Sequence, residues 1–499
     1  MTGVGILGYG SYIPSYRIRV KDIRNAWPQA GSFPGIQEKA VADFDEDVVT
    51  MGVEAAEKAL AMAGLKGEQV DALFMATTSS PFAEKSAAVI VQTVLDLPKA
   101  SLAYDINSSC RSGSLAIRAA IDYIRSNNES KVLVVIADNR LPTVATPPEV
   151  SLGAAAAAFV FAAAKDNVLC EIEAWASASD EHTTRWRESG SNYLRFHEDP
   201  RIERDNFFAG VKKVTEDLLK KGNFSKDDVK YIVSSQMDGR AAGQVSKDTG
   251  LKNPADYNIL NNLVGQIGDT GSCAAYLNLI ALFDGAQPGE RGFVVSYGVG
   301  AGCDGFAFKL TDALIEARKK QTVTLEDLLN DKQYLDYIAF AKRMGFLEVA
   351  PVLPDPNSGY PNQPNMKREV EEILSLKAQL CSKCGSINFP KRHYCIDCRS
   401  TEFTTIKLPR RAKLVTFNIQ HVLAIGPEEP PVIVGTAKII GATGERGGHV
   451  SAAMISCDAD KVKVGTEVEL IFRRCGEELG IPKYGYKFKP CFVNGGGAE

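Results

Sequence analysis

As far as residue 310, short continuous apolar runs alternate with stretches whose apolar residues recur every three or four positions. The runs at 70–75 (VDALFM), 131–137 (KVLVVIA), 158–162 (AFVFA), 230–234 (KYIVS) and 292–297 (GFVVSY) have the length and composition of buried strands. Segments 47–63 and 113–124 each carry a single apolar stripe, as a helix packed on one face does. Strands alternating with helices predict an α/β fold.

The pattern also repeats. Ser109 and Cys110 precede a helical run, then VLVVIAD, then an Ala-rich strand; Ser272 and Cys273 precede the helical run 274–283, then FVVSYG, then GFAFKL. The same parts in the same order predict two copies of one βαβ architecture.

Beyond residue 310 the pattern changes. Residues 311–345 read as charged helices, and five prolines between Pro351 and Pro364 predict an extended linker, because proline fixes φ and donates no hydrogen bond. A short amphipathic helix is expected at 368–380. After Ser400, strands such as LVTFNIQHVLA, VIVGTAKII and VELIFRR are punctuated by turn residues, the pattern of a small barrel or sandwich. The boundaries this gives are 1–345, a linker and helix at 346–378, a cysteine-rich segment at 379–405, and a β domain at 406–499.

Composition narrows the function classes. Hydrophobic residues make up 45% and charged residues 24% of the 499, as in an ordinary folded protein. The apolar block 152–164 is too short and Ala-rich to span a bilayer and reads as a core strand. No basic lead precedes MTGVGILGYGSYIP, so no signal peptide is expected. Four of the eleven cysteines sit in two CxxC pairs, which points to metal binding in a reducing cytoplasm, not to a disulfide framework. The formal net charge is −4, yet residues 379–499 hold 17 basic against 12 acidic residues. That surplus suits the phosphates of a ligand such as coenzyme A, while nucleic acid is not expected, since no aromatic and basic stacking platform accompanies it.

Two constellations carry chemistry. Cys381, Cys384, Cys395 and Cys398 offer four thiolates from two knuckles, which closes a tetrahedral shell around Zn²⁺ and predicts a structural site. Cys110 lies in NSSCRSG just before a predicted helix. There, free backbone N–H groups and the helix dipole favour a thiolate and can hold the oxyanion of a thioester under attack. Ser108, Ser109, Ser112 and Gly113 leave room for a ligand, and Arg111 adds positive charge. Cys273 occupies the duplicated position and is a second candidate facing the same cavity. Gly300 and Gly302, in GVGAG after a predicted strand, are candidates for close approach to a ligand.

GILGYGSYIP, DEDVVTMGVEAAEKAL, DINSSCRSGSLAI, EHTTRWRESGSNYLRFHEDPR, IGDTGSCAA and PGERGFVVSYGVGAGCDGFAFKL together resemble the 3-hydroxy-3-methylglutaryl-CoA synthase family, especially its archaeal branch. The segment CSKCGSINFPKRHYCIDC and the tail VELIFRRCGEELGIPKYGYKFKP resemble the small zinc-ribbon and OB-fold protein that associates with archaeal thiolases and these synthases, here fused. The resemblance implies a duplicated, layered αβαβα thiolase fold followed by a zinc ribbon and an OB-like barrel. It implies a homodimer, an acyl-CoA substrate and covalent acyl chemistry at Cys110. It also implies a glutamate, a histidine and an asparagine in the pocket; here those slots hold Thr78, Ser235 and Asp269. Carbon–carbon chemistry beside a thioester needs an acid or base. Asp269, with its carboxyl raised by burial, is the expected base, with Glu84 and Asp238 as weaker stand-ins. Three activities stay open: a Claisen or thiolytic acyltransferase working through acyl-Cys110, a catalytically reduced subunit serving a separate thiolase, and a thiolase-fold retro-aldolase.

Overall fold

The computed structural model describes residues 3–197, 199–251, 263–347, 363–421, 431–455, 457–478 and 480–491. The chain divides into two compact units, Met1–Glu348 and Val349–Glu499.

The first unit is built on a nine-stranded sheet. In spatial order its strands are Tyr231–Ser234, Arg291–Gly298, Gly302–Leu310, Cys170–Ala178, Val4–Tyr12, Ala154–Ala163, Val132–Asn139, Ala72–Thr77 and Leu102–Asn107. All five strands expected from the apolar runs are among them. The duplication is visible in the pairing. In one half Ala72–Thr77 runs parallel to Val132–Asn139, which pairs antiparallel with Ala154–Ala163, and that strand pairs antiparallel with Val4–Tyr12. In the other, Tyr231–Ser234 runs parallel to Arg291–Gly298, then come antiparallel Gly302–Leu310 and Cys170–Ala178. Val4–Tyr12 and Cys170–Ala178 join the halves. Ala154–Ala163 is buried along its whole length, which is why its sequence shows no alternation and why it is a core strand.

The helix Val48–Ala63 begins at Asp47, whose carboxylate accepts from Val49 N and Thr50 N, and ends at Gly64 in the left-handed region at φ 68°. The helix Ser112–Ser126 buries Ala116, Ile117, Ala120, Ile121 and Ile124, the stripe read from the sequence. Its packing is tight at one point: a Cβ on Gly113 would stand 2.7 Å from Ser272 O and from the Tyr276 ring. Gly113 therefore lets the two halves touch; it does not make room for a ligand, as the sequence had suggested. Among the described residues no helix is long and apolar enough to cross a membrane.

In the second unit the helix lies at Gln363–Ser375, earlier than expected, and Lys377–Cys381 is a strand. Leu376 between them takes a positive φ of 53°, which ends the helix and turns the chain. The proline-rich stretch 351–362 lies outside the described residues. Lys377–Cys381 pairs with Ile387–Asn388 and Phe403–Lys407 around the four cysteines. A five-stranded antiparallel sheet follows, in the order His449–Ala453, Val432–Ile439, Arg411–Gln420, Glu467–Glu478 and Ile481–Pro490. Its two edges meet at one place, where Met454 bridges Phe488 and Ile455 N donates to Phe488 O at 2.9 Å.

Candidate active site

Cys110 sits in the turn between the strand Leu102–Asn107 and the helix Ser112–Ser126. The turn is held by its serines: Ser108 N donates to Ser112 Oγ at 3.1 Å, Arg111 N to Ser109 Oγ at 3.2 Å, and Ser112 N to Ser109 O at 2.9 Å. These short side chains serve the turn itself. Arg111, expected to bring charge to the thiol, points elsewhere. Its Nε and Nη2 clasp Asp304 at 2.7 and 2.8 Å, and its Nη1 donates to Ser179 Oγ and Ala301 O.

The cation at the sulfur is Arg140, which the sequence reading missed. Its Nη1 donates to Cys110 Sγ at 3.4 Å, and its Nη2 pairs with Asp269 Oδ1 at 2.7 Å. Asp269 Oδ2 in turn accepts from Arg185 Nη1 at 3.0 Å, and Arg185 Nε pairs with Glu203 at 2.8 Å. Thus Cys110, Arg140, Asp269, Arg185 and Glu203 form one chain of contacts drawn from separate segments.

This network sets the protonation states. Burial pushes the Cys110 thiol up to about 12; Arg140 and Arg185 pull it down, while Asp269 and Asp138 add to the rise. The helix start does not ionise the thiol in the resting protein. For Asp269, burial pushes the carboxyl up, but Arg140 and Arg185 outweigh it, and Gly271 N donates to it at 2.9 Å. The result lies below the usual carboxylate range, the opposite of the expected rise. A carboxylate held by two guanidiniums is a poor proton acceptor.

Asp138 is the second hub. Its Oδ1 accepts from Thr77 Oγ1, Thr78 N, Thr78 Oγ1 and Ser79 Oγ at 2.6 to 3.2 Å, and its Oδ2 accepts from Ser272 N at 2.7 Å. Thr78 is committed to Asp138. Ser235 lies elsewhere: its Oγ accepts from Tyr297 N at 3.3 Å. The Tyr297 hydroxyl bonds His182 Nε2 at 3.0 Å, which also accepts from Gly300 N at 3.3 Å. Glu84 is exposed, and Asp238 accepts from Arg240 N at 2.8 Å with Arg204 at 3.7 Å.

Cys273 does not face a cavity. It is fully buried in the main core, donates to Thr270 O at 2.9 Å and Ala155 O at 3.4 Å, and burial raises its thiol further. Gly300 and Gly302 adopt φ of 70° and 111°, and a Cβ on either would strike backbone, His182 O at 2.6 Å and Ala178 O at 2.1 Å. Gly298 meets Arg111 in the same way, at 2.5 Å from its Cβ. The close approach the glycines allow is to the protein's own chain.

A cavity of about 470 Å³ opens beside Arg185 and Glu203, lined also by Phe33, Pro148, Thr184, Phe196, Phe208 and Met237.

In the second unit Cys381, Cys384, Cys395 and Cys398 present sulfurs that all lie within 4.8 Å of one another. Four thiolates at that spacing suit one tetrahedral Zn²⁺ with no open position. Burial pushes Cys395 up, but the N–H groups of Cys398 and Asp397 and the Asn388 amide bring it down to about 6. That favours a thiolate at Cys395, whereas the neighbouring thiols push Cys384 the other way.

Comparison with known proteins places both units. Residues 36–286 match the N-terminal domain of thiolase, and residues 371–404 match the ChsH2 rubredoxin-like zinc ribbon domain. The hydroxymethylglutaryl-CoA synthase of Thermococcus kodakarensis is 32% identical over 342 residues, which cover 68% of this chain and 96% of that protein. The chain belongs to the hydroxymethylglutaryl-CoA synthase family of thiolase-fold proteins. A second relative, from Pyrobaculum aerophilum, is 30% identical over 356 residues, or 70% of this chain and 99% of its own. Among solved structures, MvaS in complex with 3-hydroxy-3-methylglutaryl coenzyme A aligns with a TM-score of 0.61 at 20% identity, over 71% of this chain and 95% of that one. The 3-oxoacyl-(acyl carrier protein) synthase III of Pseudomonas aeruginosa aligns with a TM-score of 0.56 at 20% identity, over 62% and 99%. These two likenesses speak to the fold. The two relatives named leave about a third of this chain uncovered.

Proposed function

We propose that this chain is an acyl-CoA acyltransferase that makes or breaks a carbon–carbon bond through an acyl-Cys110 intermediate. The observation that carries the reading is the hydrogen bond from Arg140 to the Cys110 sulfur at the head of a helix. When Cys110 attacks a thioester, its sulfur bonds the acyl carbon, the bond to the coenzyme A sulfur breaks, and the thiol proton leaves with coenzyme A. Arg140 and Arg185 hold the negative charge that develops on sulfur and oxygen. An arginine cannot take the proton, since it stays charged at any working pH. In this reading Asp269 positions the two arginines and is not the base, and Thr78 helps to hold Asp138. The family relatives, and the solved neighbour bound to 3-hydroxy-3-methylglutaryl coenzyme A, support a coenzyme A thioester as substrate. Intact-protein mass spectrometry after incubation with acetyl-CoA should show one acyl adduct, on Cys110. Absence of an adduct with every thioester tried would overturn the proposal.

One edge of the main sheet supports the homodimer that the family implies. Leu102–Asn107 is an edge strand of the main sheet, and Leu102, Val89 and Leu115 nearby are exposed. A second copy pairing along that edge would satisfy its open backbone groups. Light scattering at the mass of two chains is the expected result; a monomer at micromolar concentration would remove this part of the reading.

A second reading has one observation in its favour. Among the described residues, the side chain that hydrogen-bonds Cys110 is an arginine, and the carboxylate paired with that arginine is locked in ion pairs. A chain lacking a base there would suit a subunit that lends its zinc module to a separate thiolase. Co-purification of such a thiolase, together with an unmodified Cys110, would favour it.

A further inference from the structure

The cavity beside Arg185 has a character that the acyl-cysteine reading does not explain. Its volume of about 470 Å³ lies within the ~300–1,000 Å³ range of small-molecule sites and far exceeds the needs of an acetyl group. Three aromatic rings line it, Phe33, Phe196 and Phe208, with the Met237 thioether beside them. Aromatic faces and sulfur both pack well against a flat ring.

The charges on its wall are already matched. Arg185 pairs with Glu203 at 2.8 Å, Arg201 with Asp199 at 2.7 Å, and Arg204 faces Asp238 at 3.7 Å. Among the described residues each arginine of the wall faces a carboxylate, so a dicarboxylic acyl group such as a glutaryl unit finds no unpaired arginine here.

One polar group does await a ligand. Thr184 lines the cavity, is 3% exposed, and its Oγ1 has no hydrogen-bond partner. A buried hydroxyl left unpaired is costly, and an arriving carbonyl oxygen would satisfy it. The cavity shares a wall residue with the network at the thiol. Arg185 forms part of its wall and is linked through Asp269 and Arg140 to Cys110 Sγ.

We infer that this cavity receives an uncharged aromatic acyl group of a coenzyme A thioester, with its carbonyl oxygen accepting from Thr184. The inference rests on the acyl-Cys110 reading for its chemistry, but the cavity can be tested apart from it. In a Cys110→Ala chain, calorimetry should show benzoyl-CoA binding at least ~10-fold tighter than acetyl-CoA. Phe208→Ala should remove most of that ratio. Thr184→Val, which keeps the shape and removes the hydroxyl, should weaken benzoyl-CoA several-fold and leave free coenzyme A unchanged. Equal binding of the two thioesters would overturn the inference. So would an equal loss for free coenzyme A in both variants, which would put the pantetheine arm in the cavity instead. The two proposals fail separately. Acetyl adducts on Cys110 without an aromatic preference sink the cavity assignment alone; aromatic preference in binding with no adduct in the parent chain sinks the acyl-cysteine reading alone.

Discussion

Arg140 serves two partners at once: its Nη1 donates to Cys110 Sγ at 3.4 Å while its Nη2 pairs with Asp269 Oδ1 at 2.7 Å. The thiol thus competes with a carboxylate for one cation. The burial that drives its pKa to about 12 is only partly countered by that cation, and Asp269 itself adds to the rise.

The pH dependence follows directly. Below its pKa, the thiolate fraction falls tenfold with each pH unit, so alkylation of Cys110 by iodoacetamide should climb roughly tenfold per unit from neutral pH to about pH 10. Arg140→Met removes a cation that lowers the thiol, and should slow alkylation at pH 8 by about tenfold or more. A plateau near pH 8 in the parent chain would contradict the raised thiol.

Asp269→Asn has a two-sided outcome. Losing the carboxylate removes a negative charge near sulfur and frees Arg140, so alkylation should speed up. It also leaves two largely buried guanidiniums short of a partner, which should cost roughly 3 kcal/mol of stability, measured by urea unfolding. Slower alkylation in a folded Asp269→Asn chain would argue that Asp269 acts as a base after all.

Cys273→Ala tests the duplicated position. A cysteine buried in the core and bonded to backbone carbonyls should cost about 1 kcal/mol when truncated and leave the Cys110 adduct intact. Loss of the adduct without loss of fold would restore Cys273 as a site residue.

The ribbon should carry one zinc per chain, read by metal analysis. Cys384→Ser should lower zinc content and loosen the segment 377–407, seen as faster amide exchange there. Full exchange protection in a zinc-free chain would mean that the fold of the ribbon does not depend on metal.

What the sequence made legible was contiguous. The strands, the helix after Cys110 and the two CxxC pairs each lie in one stretch of chain, where period and spacing speak directly. The site's electrostatics were not contiguous. Arg140, Arg185, Glu203 and Asp269 come from different segments, and each is an ordinary charged residue taken alone. One signal was available: Asp138 and Arg140 follow at once on the wholly buried run VLVVIA, and charges at the carboxyl end of a buried parallel strand commonly mark a site. What Thr78, Ser235 and Asp269 face depends on partners distant in sequence. Arg111 shows the converse: adjacency to Cys110 suggested a role that its side chain, turned to Asp304, does not fill.

The Asp138 carboxylate also bears on how the molecule comes apart. Thr78 N belongs to one copy of the duplicated architecture and Ser272 N to the other, and both donate to this one buried group. Opening the second copy alone would take from the buried Asp138 the one donor that its Oδ2 holds. The two halves are therefore obliged to unzip together, and these two amides should lose their deuterium protection on a common clock.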